Sequence, residues 1–513
     1  MFQSWLSRHP SPLPRRDFLA GALVAGVAAA LVPDRVLADP YEPRRLPLPT
    51  GGPPRPVRVR GTVRSGGRGL PGVAVTDGVR VVDTGAEGAF DFVSSSDREY
   101  VHLCVPAGHR IPVHATGTAR HFRPLAPDAR DEARADFTLE PLPDGDAHHT
   151  MLVLADIQTE DAAEMARFVD ETVPDLEATI RALGDQHRFA VACGDIVFDR
   201  HALFDGYEQA VRRLGVPAFQ VVGNHDLDKE SATAEGGTRT FRRRFGPDYY
   251  SFDRGRVHYV VLDDVFWHAN GYVGYLDAGQ LAWLEQDLER VERGAPVVVL
   301  LHIPVEGTRG VRQGGARHTP GGSVANREYL YRLLEPFRTH FVAGHTHDGE
   351  HRFVHGTHAQ VCGTVCGAWW TGGVAGDGTP NGYAVYEARD EEVRWRYKAT
   401  GFPDAHQIRA YARGAVPEAP HEVVANVWDW DPAWKVVLYE GGERRGLMAP
   451  RVALDPLARA TLTPDRLAER RRWVTPFATE HLLFAPVEPT VGPLRVEATD
   501  RFGRVYSAAV PRA

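Results

Sequence analysis

The chain has 513 residues, 43% hydrophobic and 25% charged, the composition of a soluble globular protein too long for one ordinary domain. A formal net charge of -8 argues against a surface built to grip a nucleic-acid backbone. It leaves a phosphorylated substrate open, because a local cationic centre made by metal ions does not register in that sum.

Residues 1–38 read as an address. Arg15-Arg16-Asp17-Phe18-Leu19 precedes an apolar, Ala-rich stretch over 20–32, and Val36-Leu37-Ala38 is a small-residue cleavage pattern. The segment resembles a twin-arginine export signal, departing from the usual pattern at Pro14 and Ala20. A membrane anchor is the alternative, but the run is short for a span. Export to the periplasm or the exterior is therefore expected, with no transmembrane span in the mature chain.

Residues 39–56, rich in Pro, Arg and Gly, form a linker in this reading. Residues 57–140 alternate apolar and polar positions between glycine turns, as a small β-sandwich does. The order of these pieces resembles the transthyretin-like module. It carries no catalytic constellation, so a structural or docking role is expected.

From 150 to 399, short apolar runs alternate with helical patterns, and the runs end in side chains that suit a metal. Run 151–155 ends in Asp156-Ile157-Gln158, run 189–193 in Gly194-Asp195, and run 218–222 in Gly223-Asn224-His225-Asp226. Run 297–301 ends in His302, and run 341–343 in Gly344-His345-Thr346-His347. One strand-end Asp or His is ordinarily a helix cap or a satisfied polar group. Five in one domain point to a shared site at a sheet edge. An amphipathic helix is predicted over 162–183, split or kinked by Pro174. Further helices are expected over 201–214 and 277–293, with a hairpin over 249–263 turning at Arg254-Gly255. The cadence predicts a largely parallel, buried core.

That ordered set of motifs resembles the calcineurin-like metallophosphoesterase superfamily over residues 151–400. The resemblance implies an α/β fold: a double β-sandwich flanked by helices, with two divalent metal ions at the sheet edge. Asp156, Gln158, Asp195 and His347 would hold one ion. Asp195, Asn224, His302 and His345 would hold the other, with Asp195 shared. Gln158 stands where His is commonest, and its neutral oxygen suits a hard ion such as manganese or iron better than zinc. Some manganese-dependent nucleotide-diphosphate pyrophosphatases are similar in carrying Gln there. His225 is the expected proton donor to the leaving oxygen, oriented by Asp226. Asp199 falls one residue later than in the commonest motif and is expected to support the ligands from behind.

A Gly- and Arg-rich segment over 306–317 is a candidate lid, with Arg309 and Arg312 as phosphate contacts. Trp369 and Trp370, and Asp377 in the loop beyond them, are candidate substrate contacts; packing remains open for one tryptophan. Cys362 and Cys366 could bridge, whereas Cys193 reads as inert core. Residues 400–513 read as a β-sandwich-like accessory domain, with a short helix over 463–472 capped by Thr463. The expected function is hydrolysis of a phosphate ester on a small molecule or lipid headgroup by water made reactive between the two metals. A nucleotide-diphosphate pyrophosphatase is the second reading, and a non-catalytic envelope-binding protein is the alternative from another class. Oligomeric state is not legible.

Overall fold

The central runs become strands because each is apolar on both faces and can be buried on both. The structure, a computed structural model, describes residues 53–512 apart from 185, 269, 490 and 491. The expected export signal and most of the linker lie outside the described residues.

Two sheets face each other at the centre. One has five strands in the order Ala218–Val221, His187–Cys193, His148–Leu154, Gly382–Arg389 and Glu392–Ala399. Its first three strands are parallel, and the last two add antiparallel. The other has six, in the order Tyr250–Arg254, Val257–Val261, Pro296–Leu300, Arg338–Ala343, Thr357–Val361 and Glu350–Val354. Its middle four are parallel. The predicted hairpin forms its edge, pairing Arg254 with Val257.

Strand periodicity divides the side chains between layers. Met151, Val153, Phe189 and Val191 meet Tyr259, Val298, Leu300 and Val342 between the sheets. Leu152, Leu154 and Ala190 point the other way, onto helix residues Phe168, Leu176, Tyr207 and Val211. On the far side of the six-stranded sheet, Val297, Val299 and Phe341 pack against Trp283, Leu284 and Leu330. The α/β class with all-β flanks is thus borne out.

The expected break at Pro174 is present as a change of helix type. Helix Ala162–Arg167 opens on Asp161, whose carboxylate accepts the N–H groups of Ala163 and Glu164. A π-helical turn, Phe168–Thr172, then precedes helix Val173–Ala182, which carries Pro174 in its first turn. Proline has no N–H to donate to the preceding turn, and widening that turn accommodates the gap.

N-terminal to the centre, Pro56–Ser65 anchors a sheet with Ala89–Ser95, while Ala74–Thr76 and Tyr100–Leu103 belong to a second. C-terminal to it lie two four-stranded sheets, one containing Glu422–Val427 and Thr479–Pro486 and the other Lys435–Glu440 and Leu494–Thr499. Val423, Ala425, Val436, Leu438 and Val496 share the core of this part. The helix expected over 463–472 is not formed: that stretch holds only a 3-10 turn, Glu469–Arg471. The helix lies earlier, at Pro456–Thr461, where Asp455 caps Leu457 and Ala458. Cys362 and Cys366 are both buried and unbridged, which corrects the possible disulfide.

Candidate metal centre

All seven expected ligands converge at the C-terminal edge of the two sheets. Asp156, Gln158, Asp195, Asn224, His302 and His347 are buried, and His345 is half-buried. Asp195 is central. Its Oδ1 accepts the His225 N–H at 2.8 Å and lies 3.4 Å from His302 Nε2. Its Oδ2 accepts from Gln158 Nε2 at 3.0 Å. Asn224 Oδ1 is 3.1 Å from His302 Nε2, and His345 Nδ1 is 3.2 Å from the same nitrogen. On the other side, His347 Nε2 is 3.3 Å from Asp156 Oδ1, and both Asp156 oxygens accept the His345 N–H.

The outer ring nitrogens fix the tautomers. His302 Nδ1 lies 3.2 Å from the Cys193 carbonyl, His345 Nε2 2.7 Å from that of Gly321, and His347 Nδ1 2.9 Å from that of Gly367. A carbonyl only accepts, so each of these nitrogens carries the proton, and in a neutral ring the other presents its lone pair inward. Two ring nitrogens facing each other at 3.2 Å, beside buried carboxylates, need a cation between them, either a proton or a metal ion. Ligand atoms of Asp195, His302 and His345 all lie within 4.8 Å of one another. The donor set therefore suits divalent cations. Without a metal, a proton on His302 takes that place. Burial opposes a charge on His302, but Asp195, Asp156 and Asp264 outweigh it and lift it to about 10. Burial and the charge of His302 push His345 down to about 4. Burial would raise Asp195, yet the charges of His302 and His225 hold it well below the usual carboxylate range.

The backbone is bent to bring these groups in. Asp156, Gln158, Asp195, Asp199, His345, His347, Trp369 and Trp370 all adopt positive φ, between 45° and 74°. Each costs a non-glycine residue roughly 1–2 kcal/mol, and such outliers gather at functional sites. Gly223 is required for a different reason: a Cβ there would overlap the Asp195 backbone nitrogen and Oδ1. Gly223→Ala is expected to lower stability by about 1–3 kcal/mol, read as a drop in Tm with loss of bound metal; an unchanged Tm would contradict the packing.

Several expected roles change. Asp226 does not orient His225: it is fully buried and its carboxylate accepts the N–H groups of Ile196, Val197 and Gly223. Asp199 takes that place, with Oδ1 2.8 Å from His225 Nδ1, and is itself paired with Lys229. The His225 ring stacks on Phe198 at 4.1 Å and its side chain is 20% exposed, so it reaches outward. Gln158 turns its amide nitrogen to Asp195, with Oε1 3.8 Å from Cys366 Sγ. Arg312 is no phosphate contact, because it is buried in ion pairs with Asp348 and Glu350. Asp377 is also withdrawn, accepting from Gly349, Thr379 and His481 in full burial. Trp370 packs in the core, donating to the Ile157 carbonyl.

Arg309 and Trp369 remain at the rim. Arg309 bonds the Thr346 carbonyl, lies 4.1 Å over the Phe477 ring, and lines a cavity of about 330 Å³ with Tyr272 and His345. Trp369 stacks on His347 at 4.1 Å and meets the edge of Trp473. Arg471 lies 5.2 Å from the Phe198 ring and pairs with Glu160 and Glu164. Two contacts thus run from segment 469–473 to the rings that stack on the two histidines: Arg471 to Phe198, beside His225, and Trp473 to Trp369, beside His347.

One supporting group escaped the sequence reading. Asp264 Oδ1 accepts the N–H groups of His302 and Ile303. Its signal was available, since strand Val257–Val261 also ends in carboxylates, at Asp263 and Asp264.

A buried edge of carboxylates, imidazoles and two amides, flanked by an accessible histidine, is a donor set for divalent metal ions. Family comparison supplies the class. The model of calcineurin-like phosphoesterase matches residues 149–349, that of its N terminal part residues 57–142, and that of its C terminal part residues 360–506. The chain belongs to the calcineurin-like phosphoesterase superfamily. It is 30% identical over 139 residues to the human serine/threonine-protein phosphatase CPPED1, covering 25% of this chain and 43% of that one. Over 103 residues it is 34% identical to purple acid phosphatase 23 of Arabidopsis thaliana, covering 17% and 20%. The chain spans less than half the length of either relative. Among solved structures, purple acid phosphatase PPD1 from yellow lupin is 15% identical, with 67% of each chain covered and a TM-score of 0.38.

Proposed function

We propose that the protein is an exported dinuclear phosphoesterase that hydrolyses a phosphate ester of a small molecule or lipid headgroup. The observation that carries this is the set of inward ring nitrogens of His302, His345 and His347 gathered at the carboxylates of Asp195 and Asp156. Asp156, Gln158, Asp195 and His347 would hold one divalent ion, and Asp195, Asn224, His302 and His345 the other. For Gln158 this needs its amide turned over, so that Oε1 replaces Nε2. When bound, such a pair lowers the pKa of water and neutralises phosphoryl oxygens.

The chain's own residues do the rest. Asp199 accepts from His225 Nδ1 and so presents Nε2 outward; the doubly protonated ring delivers its Nε2 proton to the departing oxygen and is left neutral, with Nδ1–H still on Asp199. Arg309 borders the approach with charge, and Trp369 walls it beside His347. Phospholipid headgroups and nucleotides lead as substrates on the strength of the export signal. The neutral ligand at Gln158 favours a second reading, a nucleotide-diphosphate pyrophosphatase using manganese.

Stripping the protein with a chelator should abolish hydrolysis of a chromogenic phosphodiester, and manganese should restore it more fully than zinc. Turnover that survives complete metal removal would refute the proposal. A panel of phospholipid headgroups, nucleotides and nucleotide diphosphates, run on the reloaded protein, then separates the substrate readings.

A further inference from the structure

A second group of metal-type side chains lies away from this centre. Cys104, Asp253, His258 and Asp287 line one cavity of about 320 Å³ where the N-terminal β part meets the six-stranded sheet. Topology brings them together. Asp253 and His258 are direct cross-strand partners in the hairpin, so their side chains share a face. Cys104 follows strand Tyr100–Leu103, and the next residue is docked on the hairpin: Val105 bridges Phe252, and its carbonyl accepts the Asp253 N–H at 2.9 Å. Asp287 comes from helix Ala278–Leu288.

The donors are arranged in two layers. Asp287 Oδ1 accepts from Ser251, and Oδ2 lies 2.9 Å from His258 Nε2. A carboxylate committed in this way keeps the proton on Nε2 and leaves Nδ1 as the nitrogen that faces the cluster, the arrangement that orients metal-bound histidines. Nδ1 is 2.7 Å from Asp253 Oδ1, and Cys104 Sγ is 3.7 Å from Asp253 Oδ2. Ligand atoms of Cys104, Asp253 and His258 lie within 4.8 Å of one another. Bonds of about 2.0–2.3 Å to a common ion in a tetrahedral site set donors about 3–4 Å apart, inside that limit. An imidazolium between Asp253 and Asp287 would be satisfied without the thiol, which gains little as a weak donor at 3.7 Å.

We propose that Cys104, Asp253 and His258 bind one thiophilic divalent cation of the zinc class, with Asp287 holding the imidazole and a remaining position open to the cavity. Sulfur and nitrogen donors select such an ion over magnesium or calcium. Asp253, whose side chain is 36% exposed, provides the route in. Binding displaces the Cys104 thiol proton and the proton on His258 Nδ1, both released to water. The ion ties the segment after Tyr100–Leu103 to the hairpin, as a structural staple.

The test uses the full chain carrying Asp195→Asn, which impairs the other centre, freed of metal and titrated with zinc and separately with cobalt. Zinc should raise Tm by several degrees in a concentration-dependent way. Cobalt should give a near-ultraviolet thiolate charge-transfer band. Adding Cys104→Ser should remove both effects, and Asp253→Asn, which leaves the thiol in place, should weaken zinc binding about tenfold or more. The proposal is overturned if the cobalt band survives Cys104→Ser and disappears instead in Cys366→Ser, whose thiol lies near His347. It is equally overturned if Asp195→Asn protein takes up zinc with no rise in Tm, or if Asp253→Asn binds as tightly as its parent.

Discussion

Asp195→Asn is expected to cut phosphodiester turnover by about 10³-fold and to leave the protein short of bound metal. Asp195 turns Oδ1 toward His302 and Oδ2 toward Gln158, so it serves both halves of the centre. Asparagine keeps the shape and can still accept the His225 N–H, but it removes the charge and one oxygen. A fold defect would appear in circular dichroism and is not expected. Wild-type metal content together with wild-type turnover would show that Asp195 is not shared between two ions.

His225→Ala should lower kcat by about 10²–10⁴-fold while bound metal stays unchanged, because the ring touches Asp199 and Phe198 rather than the inward lone pairs. Proton delivery matters most when the departing group is basic. The deficit should therefore shrink for an ester of a strongly acidic nitrophenol and grow for an alkyl ester. Asp199→Asn should follow the same pattern at smaller amplitude, on the order of tenfold. A deficit that is equal across leaving groups would make His225 a binding residue instead.

Strands His148–Leu154, His187–Cys193 and Pro296–Leu300 were readable because burial on both faces writes a continuous apolar run, and the residues at their ends follow from chain direction. Partnership between distant side chains left no such trace. Asp226 neighbours His225 in sequence, yet the turn points it into three backbone N–H groups, while Asp199, 26 residues away, reaches the ring. Arg312 and Asp377 looked like polar groups in glycine-rich loops; both are consumed by partners brought from other parts of the chain. Asp455-Pro456 and Thr463-Pro464 carry the same helix-start signature, and local sequence does not say which one forms a helix.

Segment 469–473 has an evolutionary corollary. A tail recruited from another relative would have to rebuild the Arg471 contact with Phe198 and the Trp473 contact with Trp369, or the rings that stack on both histidines would lose their outer support. Inheritance of the C-terminal part is for that reason tied to inheritance of the chemistry, and hybrids of related chains should inherit both or neither.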